Sequence, residues 1–331
     1  LNGVNHLWAW IAASGIILPC LAYGARSAEP MIFTTFADDA SSISNVRLMA
    51  ESIRAFGGRY KDAPIWLYMP AELVEQEAAA LEDFKTVVVQ IKTSETPEAA
   101  EWFFYSGKVY AAARAEAEAT GRASILVWLD VDTIMLQEPV EFDLPAGKSL
   151  GYRPVMHKNV GLLFTEPPDA FWGRAFDLLA VSDTSFFPMV TPADSDTIRP
   201  YFNAGCLALR PERGLMAEWV ECFTKLYSDS AMTEMCRADR MKRIFIHQVA
   251  LTGAILRHLE RAEMMELSDR FNYPIFFEQM FGAKHVFNDL TGVVTLRHEY
   301  YFKNPAPDWD KQLKGPTDRI KWMKEYLGGA D

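Results

Sequence analysis

The strongest constraint on the fold is an alternation that runs from residue 31 to residue 136. Short apolar runs, Met31–Phe36 (MIFTTF), Pro64–Met69 (PIWLYM), Thr86–Ile91 (TVVVQI) and Ile125–Leu129 (ILVWL), are separated by stretches with helical spacing. In Ser44–Phe56 the periodic set is Val46, Met49, Ile53 and Phe56, and Gly57-Gly58 stops it. A second helix is read over Ala71–Leu81, and a third from Pro97 through Ala119, ended by Gly121. Strands joined by helices cannot pair as hairpins; they need crossovers, which are right-handed within one sheet. The pattern therefore predicts an α/β fold with a doubly wound, mostly parallel sheet flanked by helices.

Beyond Leu136 the pattern loosens into mixed α+β. Strands are read at Lys148–Arg153, Gly161–Phe164, Tyr201–Leu209, Met264–Leu267 and Val293–Leu296. Helices are read at Ala170–Leu179, Gly214–Tyr227, Phe245–Leu259 and Asp318–Leu327. The loop Ser182–Pro200, rich in Ser, Thr, Asp and Pro, is long enough to suspect a role at a site. No repeat or linker interrupts residues 30–331, so a single domain is expected, its first half about 30–140 and its second about 141–331. Half of the 331 residues are apolar, which is ample for one core. A net charge of −11 argues against a nucleic-acid partner, which would favour a basic face.

Leu7–Tyr23 is nearly all apolar, and Ala25-Arg26-Ser27 offers a small-X-small cleavage site, so residues 1–29 read as a signal peptide or a membrane anchor. The chain is then exported or membrane-anchored, with membrane contact through residues 7–23, or cytoplasmic if that segment is no true signal. Its n-region lacks Lys and Arg. Of the four cysteines, Cys20 lies in this stretch; Cys206, Cys222 and Cys236 have no metal-site spacing and read as buried thiols.

The run Ile125–Leu129 does not alternate, which suits a strand buried on both faces, and it ends abruptly at Asp130-Val131-Asp132. Two aspartates two apart in extended chain project their carboxylates from one face. Such a pair repels itself unless a cation intervenes, and hard oxygen ligands suit Mg²⁺ or Mn²⁺. Open α/β sheets bind ligands at the carboxyl ends of their strands. Together these features read as a nucleotide-sugar site in which the metal bridges to a diphosphate. Asp194-Ser195-Asp196 and Asp308-Trp309-Asp310 share the spacing but lie in loop-like surroundings. From its place at a strand end, outside the core, Asp132 is expected to be replaceable without loss of folding.

In order along the chain follow Phe202-Asn203-Ala204-Gly205, His247-Gln248, Asn272-Tyr273-Pro274 and His298. With the Asp-X-Asp strand, this series resembles GT-A-fold glycosyltransferases, most nearly the glycogenin and lipopolysaccharide-galactosyltransferase kind, over about residues 31–303. The resemblance implies a hexosyl transfer, retaining in type, from a nucleotide-diphosphate sugar (a UDP-sugar first) to a saccharide, lipid or protein acceptor. It makes the first half of the domain the donor half and the second the acceptor half. It implies Asp130, Asp132 and His298 as ligands of Mn²⁺ or Mg²⁺. Asn203, Gly205 and Gln248 would meet the sugar, His247 would stand where the family tends to have Asp, and Lys108 would aim at the phosphates. Asp38 would lie near the base. Arg153 and His157 are expected to face the acceptor, and Asp194 or Asp196 to act as general base if the reaction inverts. The family often follows its late histidine with Gly-X-X-Lys-Pro-Trp; Glu299–Pro305 (EYYFKNP) lacks that run, although Lys303 remains to reach a phosphate.

Three other readings compete. A haloacid-dehalogenase-type phosphatase also ends an apolar strand in Asp-X-Asp, but on its first strand. A nucleotidyltransferase would carry a glycine-rich basic loop where this chain has ADDASSISN. A catalytically lapsed, exported carbohydrate-binding protein would keep the fold without the chemistry.

Overall fold

The computed structural model describes residues 31–277, 285–303 and 305–327. The apolar segment 7–23 and its cleavage site lie outside them, and among the described residues no helix is long and apolar enough to cross a membrane.

Among the described residues twelve strands are formed: β1 (Met31–Phe36), β2 (Ile65–Met69), β3 (Val89–Thr93), β4 (Ile125–Leu129), β5 (Thr133–Met135), β6 (Leu150–Pro154), β7 (Met189–Val190), β8 (Thr197–Ile198), β9 (Phe202–Leu209), β10 (Met264–Glu266), β11 (Tyr273–Pro274) and β12 (Thr295–Arg297). Seven of them make the main sheet, in the order β10-β6-β9-β4-β1-β2-β3. All neighbours pair in parallel except β9, which runs antiparallel to both β4 and β6. This is the mostly parallel, helix-flanked α/β architecture that the alternation predicts. A three-stranded sheet, β11-β12-β5, stands beside the end of β4.

The physical reason β4 reads as an unbroken apolar run is that both its faces are covered. Leu126 and Trp128 enter one core with the helices Ser106–Ala119, Ala170–Leu179, Leu215–Ser228 and Arg240–His258. Ile125, Val127 and Leu129 enter the opposite core, under the helix Ala40–Phe56. Each fully buried aliphatic side chain here contributes roughly 1.5–3 kcal/mol. A polar link adds direction to this packing: Glu116 accepts hydrogen bonds from the N–H groups of Met216 (2.8 Å) and Ala217 (3.0 Å), in the first turn of the helix Leu215–Ser228. Cys206, Cys222 and Cys236 are buried free thiols, as expected.

Several boundaries differ from the sequence reading. β3 begins at Val89, because Asp83–Lys85 closes a 3₁₀ turn and Val88 is left-handed (φ 55°). The stretch from Pro97 to Ala119 is two helices, Glu98–Glu101 and Ser106–Ala119, separated by Tyr105 in the left-handed region (φ 60°). Gly161–Phe164 forms no strand; Leu163 makes a single bridge to Ile198. The helix Ser230–Ala238 went unread, and the next helix begins at Arg240, ahead of Phe245. Both starts are capped by aspartate: Asp229 accepts from Met232 N–H, and Asp239 from Met241 N–H.

Candidate functional site

The site grows from the place where β4 runs out. Asp130 N–H donates to the Gly205 carbonyl (2.9 Å), prolonging the β4–β9 ladder by one bond. The chain then turns, with Thr133 N–H donating to the Asp130 carbonyl (3.2 Å), and enters β5. β5 pairs antiparallel with β12 so that Thr133 faces Arg297. This register delivers a guanidinium to the two aspartates. Arg297 Nε lies 2.8 Å from Asp132 Oδ1, Nη2 donates to Asp132 Oδ2 at 3.0 Å, and Nη1 lies 3.3 Å from Asp130 Oδ2. On the other side, Lys108 Nζ from the helix Ser106–Ala119 sits 2.5 Å from Asp130 Oδ1.

Burial sets the protonation states. Desolvation works against the charges of Asp132 and Arg297, yet Arg297 holds the Asp132 carboxyl below its usual range, and Asp132 and Asp130 keep Arg297 firmly charged. Glu299 behaves oppositely. Burial, together with Asp132 and Asp130, outweighs Arg297 and pushes its carboxyl up to about 7. Its backbone N–H donates to Asp132 Oδ2 (3.1 Å).

These groups line a cavity of about 630 Å³, open at the carboxyl ends of β1 and β4. Asp38 follows β1 at its rim, and Asn203 enters from β9, its Oδ1 occupied by Gly205 N–H (2.7 Å), which leaves its amide N–H₂ to offer a ligand. His247 and Gln248 enter from the helix Arg240–His258. His247 is buried and accepts no proton readily, because burial, then nearby Lys108, pulls its pKa well below the ordinary value. Its Nδ1 donates to the Ile244 carbonyl (2.8 Å), and its ring lies against Tyr105 (5.0 Å). Gln248 Oε1 is buried with no protein partner, an acceptor held ready for a ligand. His157 also lines the wall.

Of the residues singled out from sequence, the structure thus brings Asp38, Lys108, Asp130, Asp132, Asn203, His247 and Gln248 together. It places others elsewhere. Arg153 is buried on β6, where it donates to the Leu267 carbonyl (2.6 Å) and lines a different cavity. Asp196 stands in the β7–β8 hairpin, bonded through its backbone to Thr191; it and Asp194 are outside the lining. Lys303 is exposed and also outside it. Gly205 does not make room for a substrate. A Cβ there would lie 2.3 Å from Arg297 Nη1 and 2.5 Å from Asp130 Oδ2, so its emptiness is filled by the ion cluster itself. Asp132 is no exposed strand end either: it is buried, 7 % exposed, and ion-paired, which replaces the expectation that its removal is harmless to folding.

Four functional residues escaped the sequence reading: Arg297, Glu299, Tyr105 and Arg240. Arg297 carried a usable signal. An arginine ending an apolar strand run must find a carboxylate if it faces inward, and Asp-X-Asp was on offer. Glu299 and Tyr105 owe their positions to left-handed backbone (φ 44° and 60°), which no local pattern announces. Arg240, beside the cavity, lies over the Phe104 ring (5.4 Å) with no carboxylate partner among the described residues.

The expected divalent ion does not fit this arrangement. His298 has one suitable trait: its Nδ1 donates to the Glu299 carbonyl (3.1 Å), leaving Nε2 as a buried acceptor without a partner. But His298 does not line the cavity, and among the described residues no three His, Cys, Asp or Glu side chains converge to hold a metal. The space between the carboxylates holds a guanidinium. A dication about 4 Å from a unit charge interacts by about 8 kcal/mol at an effective dielectric of ~20, so the repulsion from Arg297 and Lys108 offsets the attraction of Asp130 and Asp132.

Residues 41–258 match the family of the Rhodobacterales glycosyltransferase domain. The chain belongs to this glycosyltransferase family. No curated protein matches the glycosyltransferase. Among solved structures, it is similar to mouse xyloside xylosyltransferase 1 at 12 % identity, with 84 % of this chain and 99 % of that one covered and a TM-score of 0.48. It is likewise similar to the galactosyltransferase LgtC at 15 % identity, with 90 % and 96 % covered and a TM-score of 0.44. Family membership sets aside the phosphatase and nucleotidyltransferase readings of the Asp-X-Asp strand.

Proposed function

We propose that this glycosyltransferase takes its sugar from a nucleotide-diphosphate donor bound in the 630 Å³ cavity and passes it to an acceptor entering beside His157. The observation that carries the reading is the convergence, at the carboxyl ends of β1 and β4, of cations (Lys108, Arg240) with the amide of Asn203 and the unsatisfied amide oxygen of Gln248. Lys108 has one of its three N–H donors on Asp130, so the others are available to phosphate oxygens. Departure of a diphosphate develops negative charge, and fixed cations in a partly desolvated cavity stabilise it without reorganisation. Asn203 and Gln248 orient the sugar by hydrogen bonds, and Asp38 lies where the nucleoside would extend along the rim. A hexosyl donor and retention of configuration follow from the family resemblance of these motifs.

Thermal unfolding of the protein with uridine, guanosine, adenosine and cytidine diphosphates tests the reading. A ligand bound only by the native state raises the melting temperature by mass action, by about 2.7 kcal/mol of added stability at one hundred times Kd. One base should stand out, and its diphospho-sugars should be slowly hydrolysed. If no nucleotide stabilises the protein at millimolar concentration, the donor site is misassigned and a lapsed, carbohydrate-binding role gains.

A further inference from the structure

We infer that Arg297 is a built-in counter-ion occupying the position between Asp130 and Asp132 that a divalent cation would otherwise take, so that this protein binds its donor diphosphate without metal. The inference rests on the donor reading above and adds to it the source of positive charge. Four observations support it. Arg297 contacts both aspartates at once, side-on with Asp132 (2.8 and 3.0 Å) and at 3.3 Å from Asp130. The guanidinium is buried, with the β5–β12 pairing fixing the strand that carries it. The backbone opposite is Gly205, where any side chain would collide with Nη1, so the cavity wall is shaped to this cation. Finally, Lys108 neutralises the outer oxygen of Asp130, so the pair of aspartates has both of its charges matched by protein cations.

A cation covalently fixed in the wall has consequences a dissociable ion does not. It cannot be lost or exchanged, and because Nη2 donates to Asp132, Nη1 donates to Asn272 Oδ1 (3.4 Å) and the same guanidinium is ion-paired with Asp130 (3.3 Å), it acts by holding the two carboxylates in place. With their charge cancelled, the free donors of Lys108 and of Arg240, which has no carboxylate partner among the described residues, face the diphosphate, and Asp38 and Glu299 are the other carboxyl groups of the lining. Arg297 is thus a positioning residue.

The test uses the intact protein, Mn²⁺ followed by electron paramagnetic resonance, and uridine and guanosine diphosphate followed by calorimetry in EDTA and in Mn²⁺. The wild-type protein should leave the Mn²⁺ signal unperturbed, and Kd for the bound nucleotide should differ by less than about twofold between the two buffers. Arg297→Leu should uncover the carboxylates, tighten Mn²⁺ binding by at least about tenfold and make nucleotide binding depend on it. If that variant does not fold, Arg297→Lys keeps a cation in place and should preserve metal-independent binding. Wild-type Mn²⁺ binding that disappears in Asp130→Asn, or nucleotide binding that requires Mn²⁺, overturns the inference and leaves the donor site standing. Failure of either nucleotide to bind in both buffers overturns the donor site instead, while the Mn²⁺ titration of the protein alone still decides the role of Arg297.

Discussion

Gly205→Ala is the smallest change that probes the ion cluster. The new methyl carbon would stand 2.3 Å from Arg297 Nη1, 2.5 Å from Asp130 Oδ2 and 3.0 Å from Asn203 Oδ1, all well inside van der Waals contact. None of these atoms is the loose end of an exposed chain, since Arg297 and Asn203 are buried and Asp130 is clamped by Lys108. If the cluster shifts to admit the methyl group, the cost is that of overpacking, about 1–3 kcal/mol. If the guanidinium is expelled, the buried pair is broken and the cost rises to about 3–5 kcal/mol. Urea unfolding followed by tryptophan fluorescence measures the difference as a lower midpoint at unchanged slope. Gly173→Ala is the matched control. Its Cβ would meet nothing nearer than Pro168 at 4.0 Å within the helix Ala170–Leu179, so it should gain about 0.5–1 kcal/mol. A loss below about 0.5 kcal/mol for Gly205→Ala would refute the packing argument, because surface substitutions already vary by that much.

Two further outcomes follow. Glu116 is buried and its carboxyl is pushed from 4.5 up to about 7, by burial against the opposing backbone N–H donors of Met216, Ala217 and Leu215. The folded state therefore binds this proton more tightly than the unfolded chain, and stability should fall by roughly 3 kcal/mol as pH rises from about 4.5 to 7. Glu116→Gln, which keeps an acceptor for those N–H groups, should remove that slope in urea titrations at pH 5 and pH 8; an unchanged slope would place the titration elsewhere. Asp132→Ala should cost about 3–5 kcal/mol by stranding the Arg297 guanidinium, and circular dichroism melts showing wild-type stability would mean the pair is not closed in solution.

The main sheet and the Asp130–Asp132 edge were legible because both depend on local, repeating constraints. A strand covered on two faces must be apolar throughout, and β4 announces that in five residues. Asn203, Lys108 and Gln248 came from the family resemblance of their motifs, and all three line the cavity. What failed was whatever depends on pairing across distance. The β5–β12 register turns Arg297 toward the aspartates, and nothing in VVTLRH specifies which strand it will meet. Glycine at 205 was expected to meet the sugar, because sequence shows a missing side chain but not that Arg297 and Asp130 fill the gap. Arg153 looked like a site residue for the complementary reason: its partners, the Leu267 carbonyl and Glu266, lie more than a hundred residues away.

The reversed direction of β9 ties one long connection to the site at both ends. β6 ends, and β9 begins, at the same edge of the sheet, so the whole connection from Val155 to Tyr201 leaves from and returns to the cavity wall. Val155, Met156, His157 and Asn159 line the cavity where it departs, and Asn203 lines it where it comes back. This detour carries β7, β8 and the helix Ala170–Leu179, whose Phe171, Trp172 and Leu179 anchor it in the core, so a change in its exposed turns leaves the register of the seven main-sheet strands untouched. A change in that connection thus reaches the cavity wall from both of its moorings, at His157 and at Asn203.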